Sequence, residues 1–182
     1  MNIRFIYTSV NVLLFASTVV LCPCLATAYD AGVEYSAVLP GSGTSMKVYV
    51  PVNYDSSRKW PLLVFYHGMN GSPTTDCITR HCQGNDFIVA GITYCEKLES
   101  RLTREQHNAY IARERGNFRS AVLWVKQNLS LDKKRVFLGG ISKGGWTTSF
   151  IGERELKNLA GFVILLAGRQ RGAVPGDRKI VV

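Results

Sequence analysis

The stretch RVFLGGISKGG, residues 135–145, decides how the rest of this sequence is interpreted. Its start, residues 135–138, is apolar after Arg135 and typical of a short central strand, and its glycines open a helix that we expect over 143–153. Between the two, residues 140–144 match the pattern G-x-S-x-G, with Ser142 at the centre. A strand before this pattern and a helix after it are the context in which such a serine is presented as a nucleophile.

The spacing of the glycines has a steric reason. On so tight a turn, a side chain two residues before or after the serine would strike the neighbouring strand and helix, so these positions need glycine or a similarly small residue, as Gly140 and Gly144 are. The helix N-terminus also directs backbone N–H dipoles towards the hydroxyl, where they stabilise the negative oxygen that develops in acyl transfer. The competing interpretation is a glycine-rich turn that serves only close helix–sheet packing and contains a serine by chance.

Two nucleotide-binding motifs contain similar glycines, but neither has the right spacing here. A dinucleotide-binding G-x-G-x-x-G that starts at Gly139 needs a glycine where Ile141 stands. A phosphate-binding loop needs Lys directly before Ser or Thr, whereas Lys143 follows Ser142. The stretch therefore does not predict a nucleotide site, and Ser142 is interpreted as a nucleophile.

Outward from this stretch, short apolar runs alternate with helical or polar ones. The continuous apolar run 60–66 fits a strand that is covered on both faces, as in a parallel sheet. Residues 132–134 predict a turn, and residues 96–108 are polar without a clear period. Strands are predicted over 33–38, 44–51, 60–66, 87–94, 135–138 and 161–167, and helices over 117–127 and 143–153. The alternation predicts the α/β class: a three-layer α/β/α sandwich around a mostly parallel sheet, in one domain over 29–182.

Four segments together carry a family resemblance: residues 49–51 (Tyr-Val-Pro), 61–68, 136–145, and the strand ending in Leu-Ala-Gly at 166–168. With them, the chain from about residue 44 to 168 resembles the α/β-hydrolase superfamily, in an esterase-like branch near dienelactone hydrolases and polyester depolymerase-type esterases. The resemblance implies a serine nucleophile, an oxyanion hole of two backbone N–H groups, and hydrolysis of an ester, thioester or amide. It implies neither a metal nor an organic cofactor.

The resemblance also assigns roles at the end of the run 60–66, where His67 and Gly68 follow. A His-Gly turn in this place supplies one oxyanion N–H, which here is the backbone N–H of Met69, and Lys143 supplies the other. His67 itself lies directly after a strand and upstream of the serine. It is therefore expected to shape the loop by hydrogen bonding rather than to act as the catalytic base.

The departure from the family pattern lies after Ser142. The triad order is Ser, then Asp or Glu, then His, but the only later acids are Glu153, Glu155 and Asp177, and no histidine follows. Glu153 and Glu155 are expected to face solvent late in the helix, and Asp177 precedes the start of a further strand at 178–182. The triad acid and histidine thus stay unassigned. A C-terminal truncation is the expected reason, with feeble catalysis and poor folding of the chain alone.

Residues 1–28 differ in composition from the rest of the chain. Arg4 is followed by a mostly apolar, uncharged run and by the small-x-small sequence Ala-Thr-Ala that ends at Ala28. We predict a signal peptide cleaved after Ala28, and hence a secreted or periplasmic protein that begins at Tyr29 and has no membrane attachment. The alternative is an uncleaved anchor, which Pro23 disfavours.

The charge of the chain is basic but gives no partner. The 182 residues carry a net charge of +9, and signal cleavage removes one basic residue. The charges are scattered and no nucleic-acid-binding motif accompanies them, so a nucleic-acid partner is not expected.

Three cysteines remain after signal cleavage: Cys77, Cys82 and Cys95. In an oxidising compartment two of them can pair, and Cys77 with Cys82 closes the shortest loop. Their spacing does not suit a zinc site, so a structural role or simple burial is expected and no metal is predicted.

The sequence as a whole predicts a secreted serine hydrolase that acts on carboxylic esters of small-molecule or polymer substrates. The oligomeric state is not determined by these patterns. The alternative comes from another class, a non-catalytic α/β-hydrolase-like binding or structural protein, for which a missing base histidine is the expected feature.

Overall fold

The computed structural model describes residues 29–95, 103–168 and 180–181. In chain order its elements are β1 (Glu34–Val38), β2 (Ser45–Tyr49), β3 (Trp60–Tyr66), α1 (Asp76–Thr79), β4 (Ile88–Ile92), α2 (Arg104–Asn128), β5 (Leu131–Ile141), α3 (Lys143–Arg154), β6 (Gly161–Leu165) and β7 (Ile180–Val181). The predicted signal peptide and Asp177 lie outside the described residues. The further strand predicted at 178–182 is present as β7.

The seven strands form one sheet in the order β1-β2-β4-β3-β5-β6-β7. The pairs β1–β2 and β2–β4 are antiparallel, and every other neighbouring pair is parallel. The mostly parallel α/β sheet expected from the sequence is therefore confirmed. Since Tyr66 is paired with both Ile92 and Gly140, the carboxyl ends of β3, β4 and β5 meet at one edge.

One face of the sheet carries the main hydrophobic core. Apolar side chains of the neighbouring strands β3 and β5 are fully buried there against α2 and α3, for example those of Leu62, Val64 and Leu138. Both helices contribute fully buried apolar side chains, for example Ala121 and Ile151. Burial of one such leucine or isoleucine stabilises the fold by about 1.5–3 kcal/mol, so this face fixes how the helices sit on the strands.

The opposite face of the sheet has a thinner cover in the part of the chain that is described. Leu63, Phe137 and Val163 are partly exposed there. The loop that leads into α1 lies over this face, because a Cβ atom on Gly91 would meet the backbone of Thr74. The second outer layer of the sandwich is thus represented by this loop and the short α1.

Helix α2 begins much earlier than the sequence predicts. Instead of 117–127 it spans Arg104–Asn128, and Thr103 caps it in a capping box with Gln106. Two polar residues, Glu114 and Asn117, are buried on its inner face. Glu114 interrupts the apolar period that marks an amphipathic helix ahead of residue 117, and for this reason the prediction missed the first half of α2.

The turn predicted at 132–134 lies inside β5 as an irregularity. Trp60 pairs with Leu131 and the next pair joins Leu62 to Val136, so β5 has extra residues at this point. The β3 residue between the two pairs is Pro61, which has no N–H to donate to the ladder.

Glu155 corrects another expectation, since it is buried and not solvent-facing. Its carboxylate accepts hydrogen bonds from Arg115 at 2.8 Å, Arg119 at 2.7 Å and Asn158 at 2.8 Å. Burial acts to raise the pKa of this carboxyl, but these three donors outweigh it and hold the pKa below its ordinary value. Glu155 therefore ties the end of α3 to α2. Glu153 is partly buried.

The cysteines Cys77, Cys82 and Cys95 are partly exposed and form no disulfide with one another. The pairing left open by the sequence is thus absent among these three. Across residues 29–95 and 103–168, no helix is long and apolar enough to cross a membrane.

Candidate active site

Ser142 occupies the single position between β5 and α3, in a conformation that L-residues rarely adopt. Its φ is 53° and its ψ is −117°, a strain of about 1–3 kcal/mol. The Ser142 amide donates to the carbonyl of Leu165 at 2.8 Å, and its carbonyl accepts from the amide of Trp146 at 3.1 Å. The side chain is exposed, and its hydroxyl forms no hydrogen bond with any described residue. The backbone thus holds the serine and leaves its Oγ unoccupied.

The glycines beside Ser142 are sterically required. A Cβ atom on Gly140 would overlap the carbonyl oxygen of Gly144 and lie 2.6 Å from the Oγ1 of Thr148. A Cβ atom on Gly144 would overlap the carbonyl oxygen of Tyr66 and lie 2.6 Å from that of His67. The start of α3 therefore presses directly against the end of β3.

His67 follows β3 and is buried. Its Nδ1 lies 2.6 Å from the carbonyl oxygen of Gly68, and its Nε2 lies 3.0 Å from the Oγ1 of Thr93. A carbonyl only accepts, so Nδ1 carries the proton and Nε2 accepts from the threonine hydroxyl. Both ring nitrogens are thus engaged, and neither is hydrogen-bonded to Ser142.

The loop after His67 is a tight turn, with Asn70 at φ 59°. The carbonyl of Gly68 accepts from the His67 ring and also from the amide of Gly71 at 3.2 Å. The Gly68–Met69 peptide is trans, so the N–H of Met69 points away from this carbonyl and from the imidazole. A Cβ atom on Gly68 would lie 3.7 Å from the Cβ of Ser142, which places the turn beside the serine.

The structure adds Tyr94, which the sequence did not single out. Its hydroxyl donates to the carbonyl of His67, and its ring stacks on Tyr66 at 5.4 Å. Burial raises the pKa of Tyr94 well above its ordinary range, so the phenol stays protonated as a donor. The signal for it was available: Thr93 and Tyr94 follow β4, whose carboxyl end adjoins that of β3.

No second member of a triad contacts Ser142 in the described part of the chain. The Nδ1 of His81 bonds to the carbonyl of Cys77, and the ring of His107 packs edge-on against Phe150 at 4.7 Å. Glu153 lies eleven helical positions after Ser142, about 16 Å away along the axis. Among the described residues there is also no cluster of three or more His, Cys, Asp or Glu that could hold a metal.

The sequence matches no protein-family model and no curated protein. Solved structures, in contrast, show clear likeness. An acetyl xylan esterase from Aspergillus awamori superposes with a TM-score of 0.57 at 19% identity, over 73% of this chain and 51% of that one. An S-formylglutathione hydrolase from Staphylococcus aureus gives 0.57 at 18% identity, over 78% and 59%.

A ferulic acid esterase from Anaeromyces mucronatus, in complex with ferulic acid, gives a TM-score of 0.53 at 18% identity over 77% of this chain. The present chain covers 61% of that esterase, so it spans about half to three fifths of the length of these three proteins. At these identities the likeness establishes architecture alone. Together with the strand order and the turn at Ser142, it shows that this chain shares the α/β fold of these hydrolases over the matched residues.

Proposed function

We propose that this protein is a serine hydrolase of carboxylic esters, with Ser142 as nucleophile and the backbone N–H groups of Met69 and Lys143 as the oxyanion hole. The observation that carries the proposal is the strained, exposed Ser142, whose hydroxyl has no partner among the described residues. Such strain persists only where the surrounding structure imposes it, and the short contacts of Gly140 and Gly144 do so here.

The two proposed donors follow from backbone geometry. The Met69 N–H points away from the Gly68 carbonyl, on a turn that adjoins Ser142. Lys143 is the first residue of α3, so its N–H has no acceptor within the helix. Two such fixed donors stabilise the negative oxygen of a tetrahedral intermediate, because they need no reorganisation as charge develops.

The proposed reaction has two steps. The Ser142 oxygen attacks the ester carbonyl carbon, its proton passes to a base, and the alcohol leaves, so that an acyl ester forms on Ser142. Water then attacks this ester, the carboxylic acid leaves, and the serine regains its proton. The base is unassigned, as His67 is engaged at both nitrogens and no other histidine contacts the site in the described residues.

The substrate class is supported by what the similar structures are called. They include a ferulic acid esterase, an acetyl xylan esterase and an S-formylglutathione hydrolase, all of which act on acyl compounds. We therefore place a small-molecule or polymeric acyl ester in the proposed site, without a metal or organic cofactor.

Export is part of the same proposal. The apolar segment that ends at Ala28 is taken as a cleaved signal peptide, and the mature chain as beginning at Tyr29. In support, Tyr29 already belongs to the folded domain: its ring packs edge-on against Tyr35 and Trp124, and its hydroxyl donates to Asn128. Intact-mass analysis of exported protein tests the cleavage, and retention of Met1 in that material would contradict it.

The direct test of the activity is a trapped acyl-serine. The full chain is incubated with 4-nitrophenyl acetate, and the acetyl group is located by mass spectrometry of peptides. We expect one acetyl ester on Ser142, which is absent in Ser142→Ala and unchanged in Ser45→Ala, a control at an exposed strand serine. Acetylation spread over surface residues, with Ser142 unmodified, would overturn the proposal.

One observation favours the second candidate, a non-catalytic protein of the same fold. The Ser142 hydroxyl contacts neither a histidine nor a carboxylate in the described residues, as expected for a protein of this fold without catalytic activity. The acetylation experiment separates the two, because a binding protein has no reason to acylate at Ser142 faster than at Ser45.

A further inference from the structure

The side chain of Lys143, next to the nucleophile, has an unusual placement. Its Nζ lies over the ring of Tyr94, 4.2 Å from the ring centroid. A cation over the face of an aromatic ring is attracted by the ring's quadrupole, so this contact fixes the ammonium at the same sheet edge as Ser142. The side chain is partly exposed, and solvent reaches it.

The ring beneath the ammonium is itself held from several sides. The Tyr94 hydroxyl donates to the carbonyl of His67, and the ring stacks on the buried ring of Tyr66. The Tyr66 hydroxyl in turn donates to the carboxylate of Glu114 at 3.0 Å. Because the Tyr94 ring is fixed by these contacts, it restricts the Lys143 ammonium to one position, although the lysine side chain is flexible.

The ammonium of Lys143 has no hydrogen-bond acceptor and no ion-pair partner among the described residues, although it carries three N–H donors. Partial burial lowers its pKa, and the nearby Glu114 carboxylate acts in the opposite direction through space. Glu114 is occupied by Tyr66 and by the Cys95 amide. Within the described ranges, the site thus presents a positioned cation with no paired anion.

We propose that the Lys143 ammonium binds a carboxylate on the acyl half of the substrate, so that the site prefers esters of dicarboxylic acids over neutral esters of the same length. This inference rests on the proposed function. The acyl group is bonded to Ser142 from the end of the first step until water releases it in the second, so a carboxylate on this half of the substrate stays near the neighbouring residue between the two steps. The basic net charge of the chain, +9, also favours the approach of anionic esters.

The test compares two matched substrates on the full chain, 4-nitrophenyl hexanoate and mono-4-nitrophenyl adipate, in which a carboxylate replaces the terminal methyl group. The quantity measured is the ratio of kcat/KM for the adipate to that for the hexanoate, after subtraction of the Ser142→Ala rate. We expect Lys143→Met to lower this ratio about tenfold, as for the loss of one charged hydrogen bond. Lys143→Arg should largely retain the ratio, and Lys126→Met, at an exposed position of α2, should leave it unchanged.

An equal ratio in wild type and Lys143→Met would overturn the inference while leaving the proposed hydrolase intact. A second measurement does not need turnover: binding of both esters to Ser142→Ala, followed by NMR. Tighter binding of the adipate to Ser142→Ala, lost in the Ser142→Ala/Lys143→Met double variant, supports the carboxylate site. If the wild type hydrolyses neither ester but this binding difference is found, the proposed hydrolase function is wrong and the carboxylate site still stands. Equal binding of the two esters to Ser142→Ala contradicts the site.

Discussion

Ser142 and His67 follow neighbouring parallel strands at the same edge of the sheet, but they differ in exposure and in hydrogen bonding. Ser142 is exposed, has a left-handed φ of 53°, and keeps its hydroxyl free of hydrogen bonds among the described residues. His67 is buried, and both of its ring nitrogens have partners, the Gly68 carbonyl and the Thr93 hydroxyl.

This difference indicates which of the two residues reacts and which one positions its neighbours. Strain combined with an unoccupied polar atom marks a group that the fold presents for chemistry. A buried group with all its hydrogen bonds made stabilises its surroundings instead. In our account Ser142 reacts, and His67 fixes the Gly68–Met69 peptide so that the Met69 N–H points away from the imidazole.

The contact between the two regions gives the largest expected effect. Gly144→Ala would drive a methyl group into the carbonyl oxygens of Tyr66 and His67, which belong to backbone and cannot move aside. We expect the free energy of unfolding to fall by about 3 kcal/mol or more, measured by urea denaturation. The matched control is Gly116→Ala in α2, where a Cβ atom would meet nothing within 4 Å, and stability should rise by about 0.5–1 kcal/mol.

A change in stability for Gly144→Ala as small as that for Gly116→Ala would contradict the close contact between α3 and β3. It would mean that α3 is not pressed against the end of β3, and that Ser142 and the His67 loop are not held together by the backbone.

The Ser142 region could be predicted from the sequence because its determinants are local. The apolar residues of β5, the serine and the flanking glycines all lie within eleven positions, so the pattern can be seen without knowledge of the contacts that it makes. The same holds for β3 and the turn after it, where a buried apolar run ends at His67 and Gly68.

The missed features depend on contacts between distant residues. Glu155 is buried because Arg115 and Arg119, far away in the sequence, meet it on α2, and no pattern around Glu155 indicates this. Tyr94 joins the site only through the pairing of β4 with β3. The Lys143–Tyr94 contact then requires the register of β4, β3 and β5.

The next largest effect is expected at the buried end of α3, because Glu155 anchors the helix that follows Ser142. Glu155→Gln removes a buried charge shared with Arg115 and Arg119, and we expect a loss of about 2 kcal/mol at pH 7. The control Glu105→Gln, at an exposed site in α2, should cost less than about 0.5 kcal/mol.

The direction of the pKa shift of Glu155 determines how its contribution to the free energy of unfolding changes with pH. Its donors lower the pKa of the folded carboxyl below the ordinary 4.5, so its stabilisation is complete above that value and is lost as pH falls through the folded pKa. The stability difference between wild type and Glu155→Gln should therefore shrink in acid. A difference that stays constant down to strongly acidic pH would contradict this role.

The smallest effect is expected on the His67 side. Thr93→Val removes the hydroxyl that bonds to the His67 Nε2, at a cost of about 1 kcal/mol in urea denaturation. The acetylation rate of Ser142 should fall by less than tenfold, because the Nδ1 bond to Gly68 still orients the peptide. Complete loss of acetylation in a folded Thr93→Val protein would show that His67 does more than position the loop.

The most direct test of the contrast between Ser142 and His67 is chemical rescue by imidazole. Hydrolysis of 4-nitrophenyl acetate is measured with and without imidazole for the wild type, Ser142→Ala and His67→Asn. Added base should accelerate the Ser142-dependent rate of the wild type, because no described residue offers Ser142 a base. We expect Ser142→Ala to show only background hydrolysis. His67→Asn should be about 100-fold slower than wild type at every imidazole concentration, as for a displaced oxyanion donor. A His67→Asn protein that is inactive alone but reaches the wild-type rate with imidazole would contradict the account, since His67 would then be the catalytic base.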